Sequence, residues 1–172
     1  MSETIVNRVA NSPLITLNLE DFYHPGERVV FDIAPMLFHG MILREKDFRE
    51  FVAGHDWTQY AGKNVAILCS ADAVVPVWAY MLVGIHLEPV ANRFVFGDLE
   101  SLELSLFQDA LSRVDVGQYV GKPVVIKGCS DRPVPVSAYV ELTRLLRPVA
   151  KAIFYGEPCS TVPLYKAGKS AG

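Results

Sequence analysis

The sequence is poor in cysteine, has no cluster of basic residues and has no hydrophobic run of membrane-spanning length. Three cysteines in 172 residues are too few, and odd in number, for a disulfide framework, so we expect free thiols in a reducing compartment. The net charge of −3 argues against nucleic acid as a partner. The longest nearly uncharged run, residues 73–87, is shorter than the ~20 residues of a membrane span, and the first 14 residues lack the apolar core of a signal peptide. We therefore expect a cytoplasmic protein with no membrane partner.

Several sequence motifs of enzymes are missing as well. The chain contains no Walker loop, no G-x-G-x-x-G, no H-E-x-x-H and no C-x-x-C pair. Nucleotide binding and metalloprotease activity therefore have no support from a motif. With 51% hydrophobic and 20% charged residues the composition is that of a folded globular domain, and it does not decide whether the protein is an enzyme.

The most informative feature that is present is an internal repeat. At a fixed offset of 59, residues 48–98 match residues 107–157 at 19 of 51 positions. The segment DWTQYAGKNVAIL of the first copy returns as DVGQYVGKPVVIK, and VPVWAY returns as VPVSAY. Agreement of this extent at one offset indicates a duplicated structural unit.

Each copy of the repeat has the pattern of a helix, a strand, a second helix and a second strand. Pro76 and Pro135 are expected to open the second helix of each copy, and Pro89 and Pro148 to end it. Helical periodicity covers residues 45–52 and 99–111. Short apolar runs predict strands at 64–68, 93–96, 123–126 and 152–155, and in the N-terminal part at 14–17, 28–31 and 38–42.

These elements predict an α/β fold. We expect a single domain with a mixed sheet, built from the duplicated helix–strand–helix–strand unit and an N-terminal β-rich segment. Helices of this length between strands favour parallel pairing. We divide the one domain, residues 1–172, into an N-terminal segment 1–44, repeat units 45–98 and 104–157, and a C-terminal tail 158–172.

The second helix of the first copy carries an apolar face that its counterpart lacks. Trp78, Leu82 and Ile85 stand where the second copy has serine, glutamate and arginine. An apolar helix face of this size needs a cover. Two covers remain open: the N-terminal segment of the same chain, or a second copy of the chain in a homodimer.

The three cysteines share a position relative to the predicted strands. Cys69, Cys129 and Cys159 each follow a strand, and each is followed by a serine. Ligands of open α/β sheets bind at the carboxyl ends of the strands, so the three thiols are expected at one edge of the sheet. Cys69 and Cys129 also precede helices, whose N-termini favour a thiolate.

This edge predicts a cysteine-centred site that binds a metal ion. Zinc accepts three thiolates together with a carboxylate, and iron–sulfur clusters also use thiolates. The candidate ligands, with zinc or iron as the metal, are Cys69, Cys129, Cys159 and Asp131. Asp131 and its counterpart Asp72 are also explained by capping of the loop backbone. The candidate supporting residues, which share the same loops, are Asp72, Ser70, Ser130 and Glu157.

Two other functions stay open on the sequence alone. One is a non-enzymatic, homo-oligomeric interaction protein, in which Trp78, Leu82 and Ile85 form the interface and the cysteines are structural. The other is a thiol-dependent enzyme acting on a small metabolite, with Cys129 or Cys159 as the nucleophile. None of the four histidines is expected at this edge to act as its base.

Four segments of the chain resemble a known family, and the resemblance extends nearly from end to end. They are VVFDIAPMLFHGMILREKDFREFV (29–52), CSADAVVPVWAYM (69–81), KGCSDRPVPVSAYVELTR (127–144) and YGEPCSTVPLYK (155–166). The family is a bacterial one, domain of unknown function 2480, and it has no assigned activity. The resemblance implies iron–sulfur assembly proteins as partners, and so favours a metal or sulfur role for the three cysteines.

Overall fold

The computed structural model of the protein describes residues 14–128 and 131–168. The α/β class is confirmed by the helices and strands of this part of the chain. The helices are α1 (Glu45–Gly54), α2 (Val77–Leu87), α3 (Leu99–Ser112) and α4 (Val136–Leu146). The strands are β1 (Ile15–Leu17), β2 (Arg28–Asp32), β3 (Asn64–Leu68), β4 (Arg93–Phe96), β5 (Pro123–Ile126), β6 (Ala152–Glu157) and β7 (Ser160–Lys166). Among the described residues no helix is long and apolar enough to cross a membrane.

The strands form two sheets where one was expected. Three parallel strands make the first sheet in the order β2-β3-β4, and the other sheet has the order β1-β5-β6-β7. β7 runs antiparallel to β6, so the four-stranded sheet is mixed. The sheets are separate because each of the first two strands pairs with a different copy of the repeat. Phe31 of β2 lies beside Ile67, and Leu17 of β1 lies beside Ile126.

The chain divides into two compact units. The first unit, residues 24–106, holds the three-stranded sheet with α1 and α2, and its core includes the fully buried Phe48 and Val83. The second unit comprises the described parts of residues 1–23 and 107–172. It holds the four-stranded sheet with α4, and its core includes the buried Phe107 and Leu142. The segment boundaries inferred from the repeat, including the tail 158–172, are divisions of the sequence and stay a prediction.

The repeated elements have matching geometry in the two units. α2 and α4 each span 11 residues and begin directly after Pro76 and Pro135, as predicted. A proline is tolerated there because the first amides of a helix have no intrahelical acceptor. Gly62 and Gly121 both have a φ of 69°, which side chains disfavour, and each donates a 2.9 Å hydrogen bond to the valine that follows the helix-ending proline.

Two local predictions differ from the structure. Residues 38–42 do not form a strand, because His39 and Gly40 have φ angles of 52° and 69° and turn the chain back on itself. A single antiparallel bridge joins Phe38 to Ile42 across this turn. β7 is not among the predicted strands, and its Pro163 is a residue that disfavours a strand in the interior of a sheet. At the edge of a sheet a proline is tolerated, since its missing amide can face away from the ladder.

An aromatic cluster distinguishes the core of the first unit from that of the second. The His55 ring stands edge-on to Phe31 with 5.8 Å between ring centroids, and Trp57 stacks on His86 at 5.0 Å. The second copy of the repeat has two valines and a leucine in place of the two histidines and the tryptophan. Burial lowers the pKa of His55 and outweighs the opposite effect of the Asp56 charge.

We expect the protein to lose stability as the pH falls below about 6.5, the ordinary pKa of histidine. The folded state holds His55 neutral where the unfolded chain binds a proton, so its contribution is retained above that pH and lost below it. Urea denaturation between about pH 7.5 and pH 5.5 measures this loss. The variant His55→Val, which carries the residue of the second copy, is expected to lose less. An equal loss in both proteins would assign the effect to other groups.

Candidate functional site

The structure places the described cysteines in different units. Cys69 follows β3 in the first unit, is half-buried, and has its Sγ atom 3.7 Å from the carbonyl oxygen of Ala71. Cys159 is exposed in the turn between β6 and β7 of the second unit. Cys129 and Ser130 lie outside the described residues. The expectation of one shared edge needs correction, because the strands before the cysteines belong to two sheets.

The candidate metal ligands do not form a cluster in the part of the chain that is described. No group of three His, Cys, Asp or Glu side chains able to hold a metal ion occurs among residues 14–128 and 131–168. Asp131 is exposed, and its backbone amide donates to the carboxylate of Glu20, which also accepts from the Arg132 amide at 2.9 Å. Asp72 is exposed in the loop before α2, and Glu157 is half-buried at the end of β6. Glu20 thus holds the loop after β5, a role that the sequence analysis did not assign.

At the carboxyl end of the first sheet, Ser70 is bonded to Asp32, a residue that the sequence analysis did not select. The hydroxyl and amide of Ser70 donate to the Asp32 carboxylate at 2.5 and 2.9 Å, and the Ala34 amide donates at 2.9 Å. Burial acts to raise the pKa of Asp32, but these hydrogen bonds outweigh it and lower that pKa. Burial, together with the nearby Cys69 and Asp32, raises the pKa of Tyr80. The arrangement ties the loop after β3 to the end of β2.

Asp32→Ala is expected to lower the free energy of unfolding by about 1–2 kcal/mol, because three hydrogen bonds to a charged acceptor are lost. Asp32→Asn is the matched control and is expected to lose less. The second unit has Asn18 at the equivalent position, where its side chain accepts from the Glu20 amide at 3.1 Å. Urea denaturation of the three proteins makes the comparison. An unchanged stability in Asp32→Ala would show that the three hydrogen bonds to Asp32 do not stabilise the fold.

The predicted interface on α2 is only partly exposed. Trp78 packs edge-on against Phe48 of α1 with 5.9 Å between ring centroids, and the Arg49 guanidinium lies 5.4 Å from the centre of the Trp78 ring. Leu82 is half-buried against the same core, whereas Ile85 is 66% exposed. Trp78 is therefore covered in part by α1, an amphipathic helix that lies outside the N-terminal segment 1–44, one of the two covers that the sequence left open.

The apolar surface that does remain open lies on the neighbouring face of α2, beside β4. Val77, Met81 and Ile85 follow one another at four-residue spacing and are 73%, 63% and 66% exposed. Next to them Phe96 of β4 is 71% exposed, and its ring meets that of Tyr80 edge-on at 5.0 Å. Between α2 and β4 runs an open groove of about 540 Å³, called the α2/β4 groove below, whose lining includes Met81, Gly84, Ile85, Glu88, Phe94 and Phe96.

The second unit shows what covers the equivalent edge there. α4 and β6 are the counterparts of α2 and β4, and β7 lies along β6 in antiparallel register. The guanidinium of Arg147, the residue directly after α4, lies 3.9 Å from the ring centre of Tyr165 in β7, and Leu164 lines the same channel. Tyr155, the counterpart of Phe96, is 39% exposed. Among the described residues β7 therefore covers the outer edge of β6. β4 pairs with β3 alone, so its outer edge has no described strand beside it.

A family model matches residues 3–167, which is nearly the whole chain, and its description is protein of unknown function (DUF2480). The match confirms the resemblance carried by the four segments quoted above. No curated protein and no solved structure matches the chain. A fold or family without an assigned activity leaves the function to be argued from the geometry of the sites. The chain belongs to the DUF2480 family of proteins of unknown function.

Proposed function

We propose that this protein is an interaction protein whose first unit receives an extended segment of a partner polypeptide in the α2/β4 groove. One observation carries the proposal. The two copies of the repeat have the same helix and strands, yet the edge of β6 is covered by β7 and the edge of β4 is open among the described residues. An edge strand with apolar neighbours is a template for pairing with another chain.

The exposed side chains of the groove supply the driving force for such binding. Met81, Ile85 and Phe96 are each more than three-fifths exposed, and they lie together along one channel. Full burial of a side chain of this kind is worth about 1.5–3 kcal/mol. Exposed apolar residues grouped in this way, unlike single ones, mark an interaction surface. The surface overlaps the predicted interface at Ile85 only, because Trp78 and Leu82 are half-buried against the core of the unit.

Photo-crosslinking in cells tests the proposal. The photoreactive amino acid benzoylphenylalanine is placed at Met81, and the matched control carries it at Val140, the equivalent position of the second unit. The two sites are 63% and 64% exposed, so they differ in what lies beside them and not in access. We expect one defined adduct from position 81, identified by mass spectrometry at both crosslinked residues, and none from position 140.

A second variant shows whether the adduct depends on the groove. Ile85→Arg introduces the residue of the second copy at an exposed position and is expected to remove the adduct without loss of stability. Equal adducts from positions 81 and 140, or none from either, contradict the proposal. An adduct within one chain would assign the groove to the protein's own residues. An adduct between two copies would show that the partner is a second copy of the chain, in a homodimer.

The metal hypothesis of the sequence analysis remains a separate proposal. Its ligands are Cys69, Cys129, Cys159 and Asp131, its metal is zinc or iron, and its partners are iron–sulfur assembly proteins. The chemistry of thiolate ligands supports it. Elemental analysis of protein purified without a metal-affinity tag tests it. Bound metal that is lost in the variant Cys69→Ser supports the hypothesis, and metal-free protein opposes it.

The remaining expectations have equally simple tests. A thiol-dependent enzyme requires an activated nucleophile, so titration of the thiols is expected to find one that reacts well below the ordinary pKa of about 8.5. Light scattering after gel filtration reports whether the isolated chain is a homodimer. Fractionation of the host cells tests the cytoplasmic location.

A further inference from the structure

We infer that the partner segment is a β-strand added antiparallel to β4, with an apolar side chain toward α2 and a basic side chain next to Glu88. The inference rests on the proposed function and deepens it by naming the chemistry of the partner segment. Its template is β7, which occupies the equivalent edge of the second unit. In recognition by strand addition, main-chain hydrogen bonds give affinity and pockets for alternate side chains give specificity.

The register of β7 shows which of its residues lie on the helix side of the sheet. Tyr165 lies opposite Ile153, and Val162 lies opposite Tyr155. The ring of Tyr155 meets that of Tyr139 in α4 edge-on at 5.9 Å, so Tyr155 is on the side of α4. Because paired residues of adjacent strands share a face, the side chains of Tyr165 and Val162 lie on that side as well.

The first unit offers more apolar surface at the matching positions. Phe94 and Phe96 stand where the second copy has isoleucine and tyrosine, and Ile85 stands in place of an arginine. A Cβ atom built on Gly84 would lie 3.1 Å from the Phe94 ring, which shows that Phe94 rests on α2. The added strand is therefore expected to carry an apolar side chain opposite Phe96, in the place of Val162, where it is buried against α2.

The charge at one end of the groove is reversed between the two units. Arg147, at the C-terminal end of α4, lies over the ring of Tyr165, an arrangement in which a cation is attracted to the face of an aromatic ring. Glu88 stands at the equivalent position directly after α2, is exposed, and lines the groove. A carboxylate is repelled by a ring face and attracts a cation. The residue of the partner strand in the place of Tyr165 is thus expected to be lysine or arginine.

Two fluorescent peptides with the sequence of residues 160–168 serve as probes. The basic peptide carries Tyr165→Arg and the acidic peptide carries Tyr165→Glu, and their binding to the full-length protein is followed by fluorescence anisotropy. We expect the basic peptide to bind about fivefold more tightly than the acidic peptide. Its arginine forms an exposed ion pair with Glu88, whereas the glutamate of the acidic peptide meets a like charge there. The variant Glu88→Arg is expected to reverse this preference. The matched variant Arg147→Glu, in the unit whose edge β7 already covers, is expected to leave the preference unchanged.

The outcomes distinguish a failure of the inference from a failure of the proposed function. A preference for the basic peptide that persists in Glu88→Arg places the binding elsewhere and overturns the inference. If neither peptide binds while position 81 still yields its adduct, the partner docks in another manner and the proposed function stands. If peptides and adduct both fail, the proposed function fails with the inference.

Discussion

Phe48→Ala is expected to lower the free energy of unfolding by about 3–5 kcal/mol. Phe48 is fully buried, packs against Trp78 at 5.9 Å between ring centroids and against Phe51 at 6.4 Å, and belongs to the core that joins α1 to the first sheet. Its removal leaves a cavity that the surrounding side chains only partly refill. Urea denaturation followed by circular dichroism measures the loss.

Two further variants make this measurement specific. Phe107→Ala changes the equivalent residue of the second copy, which is 1% exposed, and is expected to cost a similar amount. Phe96→Ala removes a ring that is 71% exposed in the α2/β4 groove and is expected to change stability by less than about 0.5 kcal/mol. If Phe96→Ala cost as much as Phe48→Ala, the groove would be part of the core and the proposed docking surface would not exist.

Removal of β7 is expected to cost on the order of 3–6 kcal/mol, measured by urea denaturation of a chain that ends at residue 158. β7 pairs with β6 through six residue pairs, and each ladder hydrogen bond is worth about 0.5–1.5 kcal/mol. The loss also exposes the channel beside α4 that Leu164 and Tyr165 line. The shortened chain is thus expected to present in its second unit the open edge that the first unit has already.

The peptide of residues 160–168, supplied separately, is expected to bind the shortened chain and raise its midpoint of thermal unfolding as the peptide concentration increases. A chain ending at residue 168 keeps β7 and serves as the control, with stability within about 0.5 kcal/mol of the full-length protein. A shortened chain as stable as this control would show that β7 contributes little. In that case β7 would be a poor template for the partner of the first unit.

The sequence predicts the local elements well because they depend on local chemistry. Pro76 and Pro135 precede helices because proline is compatible with a helix start, where the amide needs no intrahelical acceptor. The strands of both copies are short apolar runs in which β-branched and aromatic residues recur. The two copies of the repeat predict the same helices and strands at equivalent positions, so each prediction is supported twice. β7 escapes detection because Pro163 is tolerated only at a sheet edge, and the sequence does not say which strand is an edge.

The candidate site is harder to predict because it depends on how the strands pair. The expected edge with three cysteines assumes one sheet, whereas β1 and β2 each extend a different copy of the repeat. The groove beside β4 exists because no described strand pairs with its outer edge, a fact of topology that no local pattern contains. Ile85 differs between the two copies of the repeat, where the second copy has Arg144, and this difference marks it in the sequence. The difference between Glu88 and Arg147 gives the expected charge of the partner.

Hydrogen exchange at the backbone amides of β4, Arg93–Phe96, with and without the basic peptide, tests the central claim most directly. A strand added to the open edge forms new main-chain hydrogen bonds, so the outward-facing amides of β4 are expected to exchange at least about tenfold more slowly in the complex. The amides of β6, which β7 already covers, are expected to stay unchanged. If the peptide binds and the amides of β4 exchange as fast as before, the edge of β4 is not the docking site.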